Sequence, residues 1–140
     1  NPVRRSLPVL NLLRGWRMGL PSGQSVARKM GLEPLSDADL FDHTDPERAE
    51  ARRALLADAD SKFTGNCPLW FYVLREAEVM AGGAHLGPVG GTIVAEVLSG
   101  LICEDRHSFL AQWPKWRPTL AGAEAGHFTM ADLVNFTNGA

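Results

Sequence analysis

The sequence predicts an all-α fold. Ile93, Val94, Val97, Leu98, Leu101 and Ile102 recur at the 3.6-residue period and draw one continuous apolar stripe. Helix start and stop signals frame several other segments, among them Asp45-Pro46-Glu47, Gly82-Gly83 and Thr129-Met130-Ala131-Asp132. No stretch alternates apolar and polar residues over the length of a strand, and no internal repeat is present.

The first element is a short helix from about Leu10 to Arg17, placed after Pro2 and Pro8 and ending before Gly19. Ser22 then N-caps a second, half-exposed helix with Val26 and Met30 on its inner face and Gly31 as its stop. Residues 32 to 45 are rich in Asp, Ser and Pro, which predicts a surface loop with at most one weak turn. In the next helix, running to about Asp58, Asp45 is the N-cap, Pro46 takes the first helical position and Glu47 lies in the first turn. Its arginines and glutamates mark a solvated helix with a thin contact stripe at Ala54 to Ala57.

Asn66-Cys67-Pro68 opens the fifth segment, where Trp70, Val73, Leu74, Ala77, Met80 and Ala81 fall three and four apart before Gly82-Gly83 ends it. Gly87-Pro88-Val89-Gly90-Gly91 is a helix-entry turn leading into the Ile93 to Ile102 stripe, and these two helices are expected to pack together as the core. Asp105 is positioned to cap a short helix through Phe109 and Leu110. Residues 112 to 118 should be extended, because their prolines restrict themselves and their predecessors. The indoles of Trp113 and Trp116 are expected to cover the core there. A capping box at Thr129 and Asp132 starts a last helix with Leu133, Val134 and Phe136.

At 140 residues the chain fits one domain, residues 1 to 140, able to bury roughly two-thirds of its unfolded surface. A 45% hydrophobic and 21% charged composition suits a soluble globular chain, and a net charge of -2 gives no basic footprint for nucleic acid. No apolar run reaches the ~20 residues of a membrane span, and no charged-then-apolar signal segment opens the chain. The start at Asn1-Pro2, without an initiator Met, suggests a cut or processed chain, which leaves secreted and cytoplasmic locations both open. Cys67 and Cys103 are expected to be buried thiols, and whether they pair is left open.

His43, His85, His107 and His127 sit in loops or at helix starts without a partner at metal-ligand spacing, and are expected at the surface. Glu76 and Glu78, two apart on a helix, do not share a face and so form no catalytic carboxylate pair. Arg75 and Glu78 are expected as an exposed ion pair. Asn11 and Arg14 are the chemically suggestive residues. A side-chain amide can hold a histidine ring in one tautomer by accepting its N–H, and a guanidinium fork binds a carboxylate in a bidentate manner. Read plainly, Asn11 could equally break or cap its segment, and Arg14 could pair with Asp37 or Asp39.

The block Asn11-Leu12-Leu13-Arg14-Gly15-Trp16-Arg17-Met18-Gly19-Leu20-Pro21, together with residues 71 to 80 and Gly82-Gly83, resembles the C-terminal part of bacterial members of the animal-type haem peroxidase family. The resemblance spans nearly the whole chain and is clearest at residues 10 to 32, 70 to 102 and 128 to 136. It implies the helical C-terminal part of that mainly α-helical fold, with Asn11 accepting the N–H of the proximal histidine, Arg14 on a haem propionate and Leu10 along the haem edge. The implied cofactor is haem b or a covalently modified haem. The implied partners are the upstream half of the same peroxidase, in the same or a separate chain, with hydrogen peroxide and a halide, phenol or other small reductant. The family's proximal and distal histidines, distal arginine and haem-attaching acidic residues all lie upstream of this segment. Trp16 stands where many relatives carry arginine, and the Ile93 to Ile102 helix lacks a second propionate-binding arginine. The alternative is a non-catalytic, truncated helical module used in binding or assembly, with an uncovered apolar face at Leu7 to Leu13.

Overall fold

A computed structural model describes residues 6–42, 45–57, 62–116, 120, 122–124 and 127–139, with Arg52 and residues 55–57 described in backbone only. His43, the end of the fourth helix at Asp58 and the far end of the 112–118 segment lie outside these residues. The fold is all-α. Its helices are α1 (Leu7–Arg17), α2 (Gly23–Lys29), α3 (Asp37–Phe41), α4 (Pro46–Ala57), α5 (Leu69–Ala81), α6 (Pro88–Glu104), α7 (Phe109–Gln112) and α8 (Met130–Thr137). Two compact units divide the chain, Asn1–Glu96 and Val97–Ala140, with the boundary inside α6.

In the first unit, α5 is the hub, packing against α1, α2 and α3. The core is small: Ala27, Leu40, Phe41, Cys67, Tyr72 and Val89 are buried, with Val26, Met30, Val73 and Ile93 among the residues packed around them. Helix α1 starts three residues earlier than expected, because Pro8 occupies its first turn, where the missing N–H costs nothing. The segment 32 to 45 is more ordered than expected. Ser36 caps α3 by accepting from the Asp39 N–H, and Leu40 and Phe41 turn into the core, with Phe41 stacked on Phe71 at 5.9 Å. Helix α4 touches this region through Ala49 rather than through Ala54, which is exposed.

Two buried polar side chains organise the packing, and both depart from expectation. Arg75 is not on an exposed face. Its Nε donates to the Asp39 carbonyl at 2.9 Å and an Nη to the Asp42 carbonyl at 2.6 Å, so the guanidinium closes the C-terminal end of α3, while Glu78 pairs with it at 2.8 Å. Glu76, 2% exposed, accepts from the backbone N–H groups of Val89 and Gly90 at 3.0 and 3.1 Å. Those are orphan donors of the first turn of α6, so Glu76 caps that helix from a distance of twelve or more residues in sequence. The buried face of α5 is therefore Tyr72, Arg75, Glu76 and Ala77, while Leu74 and Met80 are exposed.

The apolar stripe of α6 is not continuously buried. Val89, Gly90 and Ile93 join the core, with Val73 against Gly90, but Val94, Val97, Leu98, Leu101 and Ile102 are exposed.

In the second unit no described residue is buried. Ser108, not Asp105, N-caps α7, and the Asp105 carboxylate instead accepts from the His107 N–H at 2.8 Å. Residues 113 to 116 form a tight turn closed by a Trp116 N–H to Trp113 carbonyl bond rather than an extended strand. Trp113 and Trp116 are exposed rather than buried over a core, and Trp116 meets Phe109 edge-on at 5.3 Å. The capping box of α8 is present as expected: Thr129 and Asp132 exchange bonds, and Asp132 also accepts from the Ala123 N–H at 2.8 Å. These bonds, first that from the Thr129 hydroxyl, hold the Asp132 carboxyl below its ordinary range.

Candidate functional site

The motif block lies on α1 and the turn that follows it. Met18 ends the helix and Gly19 adopts a left-handed conformation, φ 64°, beyond it. The Leu20 N–H reaches the Gly15 carbonyl and the Gly19 N–H the Trp16 carbonyl, both at 3.0 Å. This is a Schellman closure, with the Leu20 side chain beside Gly15 as its apolar contact. Pro21 then cannot extend the helix, and Ser22 restarts the chain as the N-cap of α2, accepting from the Ser25 N–H.

The reversed chain is stitched to the entrance of α5. Ser22 bridges Pro68, and the Gly23 N–H donates to the Cys67 carbonyl at 2.9 Å. The buried Gln24 amide accepts from the Cys67 N–H at 2.9 Å and donates to Asp37, which also accepts from the Gly65 N–H. Gln24 thus joins three segments through one amide. Burial, with the nearby Asp37 charge adding to it, pushes the Cys67 thiol from 9.0 up to about 12. Tyr72 is also raised, chiefly by burial, and its hydroxyl accepts from the Leu35 N–H at 3.0 Å.

Between α1 and the α5 entrance lies a cleft of about 180 Å³. Asn11, Gly15 and Trp16 form one side of it, and Asn66, Pro68 and Trp70 the other. No charged residue among the described ones lines it. Asn11, half-buried, is the expected site residue that the cleft contains. Arg14 and Leu10 do not line it. At about 100° per residue, Leu10, Arg14 and Asn11 span an arc of about 100°, with Asn11 at the edge nearest the cleft. Both Leu10 and Arg14 are exposed, and Arg14 pairs with neither Asp37 nor Asp39.

The remaining candidates are placed as follows. His85, His107 and His127 are exposed, as expected, and His85 Nδ1 lies 2.9 Å from the Leu86 carbonyl oxygen. Both cysteines are free thiols. Cys67 is buried as expected, but Cys103 is exposed, since it sits on the uncovered part of α6. Among the described residues no three His, Cys, Asp or Glu side chains gather in a way that could hold a metal ion. No helix among them is long and apolar enough to cross a membrane. Sequence reasoning missed, as polar anchors, the half-buried Asp37 and the buried Gln24, Arg75 and Glu76. For the last two a signal existed: they follow Tyr72 by three and four residues, on a face that otherwise reads apolar. For Gln24 none did.

Comparisons with protein-family models, with curated proteins and with solved structures each found no match to this chain.

Proposed function

We propose that this chain is the C-terminal helical part of a haem-dependent peroxidase, which uses hydrogen peroxide to oxidise a halide, a phenol or another small reductant. The observation that carries the reading is the open strip on α1, where an apolar side chain, an amide and a guanidinium share one arc and α1 as a whole buries no residue. Leu10 would lie along a haem edge, the Asn11 amide oxygen would accept the N–H of an axial histidine, and Arg14 would clamp a propionate. The motif block that suggests these roles is continuous over eleven residues. Accepting that N–H fixes the ring's tautomer and strengthens it as a donor, so Asn11 is a positioning residue.

The residues of this chain do not hold haem unaided. No described histidine lines the cleft, and the cleft is smaller than the ~300 Å³ at which ligand sites usually begin. Under this reading the axial ligand and the acid–base groups come from upstream polypeptide laid against α1. The isolated 140 residues should then oxidise no phenolic dye when given haem and peroxide, and turnover by them alone would refute this division of labour.

The deciding experiment is absorbance and intact-mass analysis of the native material. A Soret band travelling with this sequence, and shifted by Asn11→Ala, supports the reading; a Soret band that Asn11→Ala leaves unmoved removes Asn11 from the site. Colourless native material favours the second reading, a non-catalytic helical module.

A further inference from the structure

We propose that the α1–α5 cleft is a docking groove for a proline-rich peptide in the extended polyproline conformation. The peroxidase reading is not a premise here, since of the groups involved it uses only the Asn11 oxygen. Hydrogen-bond chemistry selects the guest first. Asn11 and Asn66 each bring two side-chain N–H donors to the cleft, and Trp16 and Trp70 one each, against two amide oxygens as acceptors. Among the described residues none of these four side chains has a hydrogen-bond partner. A guest that satisfies them has to bring more acceptors than donors.

An ordinary peptide brings them in equal number, one N–H for every carbonyl. Proline carries the carbonyl alone, so a run of prolines is a string of acceptors with no N–H at all. The polyproline helix makes no internal hydrogen bonds, which leaves those carbonyls open to donors along its length.

Surface selects it next. Trp16, 78% exposed, and the half-buried Trp70 stand on opposite sides of the cleft, with Pro21 and Pro68 also in its wall. Proline-rich segments dock in aromatic-lined grooves of this kind, pyrrolidine rings against the indoles and carbonyls toward the donors. The volume of about 180 Å³ suits this mode, because a residue or so of the peptide enters while the chain, repeating about every 9 Å, continues across the rim. Both walls have their local geometry fixed without a guest, α1 by its Schellman closure and the Asn66 segment by the Gly23–Cys67 and Cys67–Gln24 bonds beside it. The polyproline conformation is likewise preformed in the free peptide, so little ordering entropy opposes binding.

The test is a titration of the 140-residue protein with end-blocked decaproline, compared with an end-blocked Gly-Ser peptide of equal length. NMR follows the Trp indole and Asn side-chain N–H signals, and the exposed indoles of Trp113 and Trp116 serve as an internal control. Decaproline should saturate and shift the signals of Trp16, Trp70 and Asn66, with the Gly-Ser peptide at least about ten-fold weaker. Asn66→Ala and Trp16→Ala, both at exposed positions, should each weaken decaproline by about five-fold while circular dichroism is unchanged. Equal binding of the Gly-Ser peptide, shifts centred on Trp113 and Trp116, variants that bind as the parent does, or no saturation overturns the proposal. Decaproline binding alongside a colourless native protein would sink the peroxidase reading and leave the groove. A haem-bearing native protein whose cleft ignores decaproline would do the reverse.

Discussion

Glu76 offers the sharpest test of how this fold is held. Its carboxylate is 2% exposed and is the acceptor for the first-turn N–H groups of Val89 and Gly90, with Gly87 so close that a Cβ there would sit 2.6 Å from the carboxyl carbon. Glu76→Ala removes two charge-assisted bonds and leaves two buried donors without partners. Each such orphan costs about 1–3 kcal/mol, and the lost interaction with the helix dipole adds about 0.5 kcal/mol, so the variant should lose about 2.5–6.5 kcal/mol. Glu76→Gln keeps one acceptor oxygen and the shape but loses the charge, and should cost about half as much. Denaturant unfolding at 25 °C measures both numbers, and amide exchange at Val89 and Gly90 reports the cap itself. A Glu76→Ala variant within about 1 kcal/mol of the parent, or unchanged exchange at Val89, refutes the assignment, because two orphaned donors cannot be that cheap.

Gly23→Ala should be among the most damaging small substitutions, since the new Cβ would fall inside the Tyr72 ring and α2 would have to leave α5. A loss of about 3 kcal/mol is expected from denaturant unfolding, and near-neutral behaviour would contradict the close approach. Arg75→Lys should cost about 2 kcal/mol in the same assay, because a lysine cannot reach the Asp39 and Asp42 carbonyls together, and protection of the α3 amides should fall with it. Native Cys103 should react at once with a thiol reagent at pH 8 while Cys67 reacts only on unfolding; prompt labelling of both would contradict the burial of Cys67. With its folded value raised from 9.0 to about 12, the Cys67 contribution to stability is intact below pH 9 and declines between pH 9 and 12, where the unfolded chain releases the proton first. A Cys67→Ala variant should show a flatter decline over that window.

Local signals in the sequence translated well where the physics was local. The Ser22 N-cap, the Gly82 stop with φ 57° and the Thr129–Asp132 box each depend on residues within four positions, and each is present. What failed were inferences about faces. Val94 to Ile102 has helical periodicity and is a helix, but periodicity does not say that the stripe is covered, and Val94, Val97, Leu98, Leu101 and Ile102 are exposed. On α5 the error ran the other way. Arg75 and Glu76 look like surface residues by type, yet each finds backbone partners more than ten residues away that make burial tolerable. The loop at 32 to 45 hid α3 for a related reason, since its Asp and Ser content reads as loop, whereas Ser36 serves as a cap and Asp37 as an anchor for Gln24 and Gly65. At the candidate site, the resemblance of the eleven-residue block singled out Asn11, while the cleft beside it also takes in Asn66 and Trp70, more than fifty residues on.

Helix α1 poses the problem that any account of function has to answer. Eleven residues are too few for a stable helix in water by propensity alone, since isolated helices shorter than about 12–15 residues are marginal. Its attachment to α5 buries none of its side chains, and Leu7, Leu10, Leu13 and Trp16 are all 40% or more exposed. The Schellman closure and Pro8 fix its two ends, but they contribute little against the entropy of ordering the segment. Some additional cover would therefore be expected to raise its helicity sharply. Upstream polypeptide, as the peroxidase reading requires, would lie on the Leu10–Arg14 arc. Amide exchange along α1 should therefore slow when such a cover is present and stay fast without it.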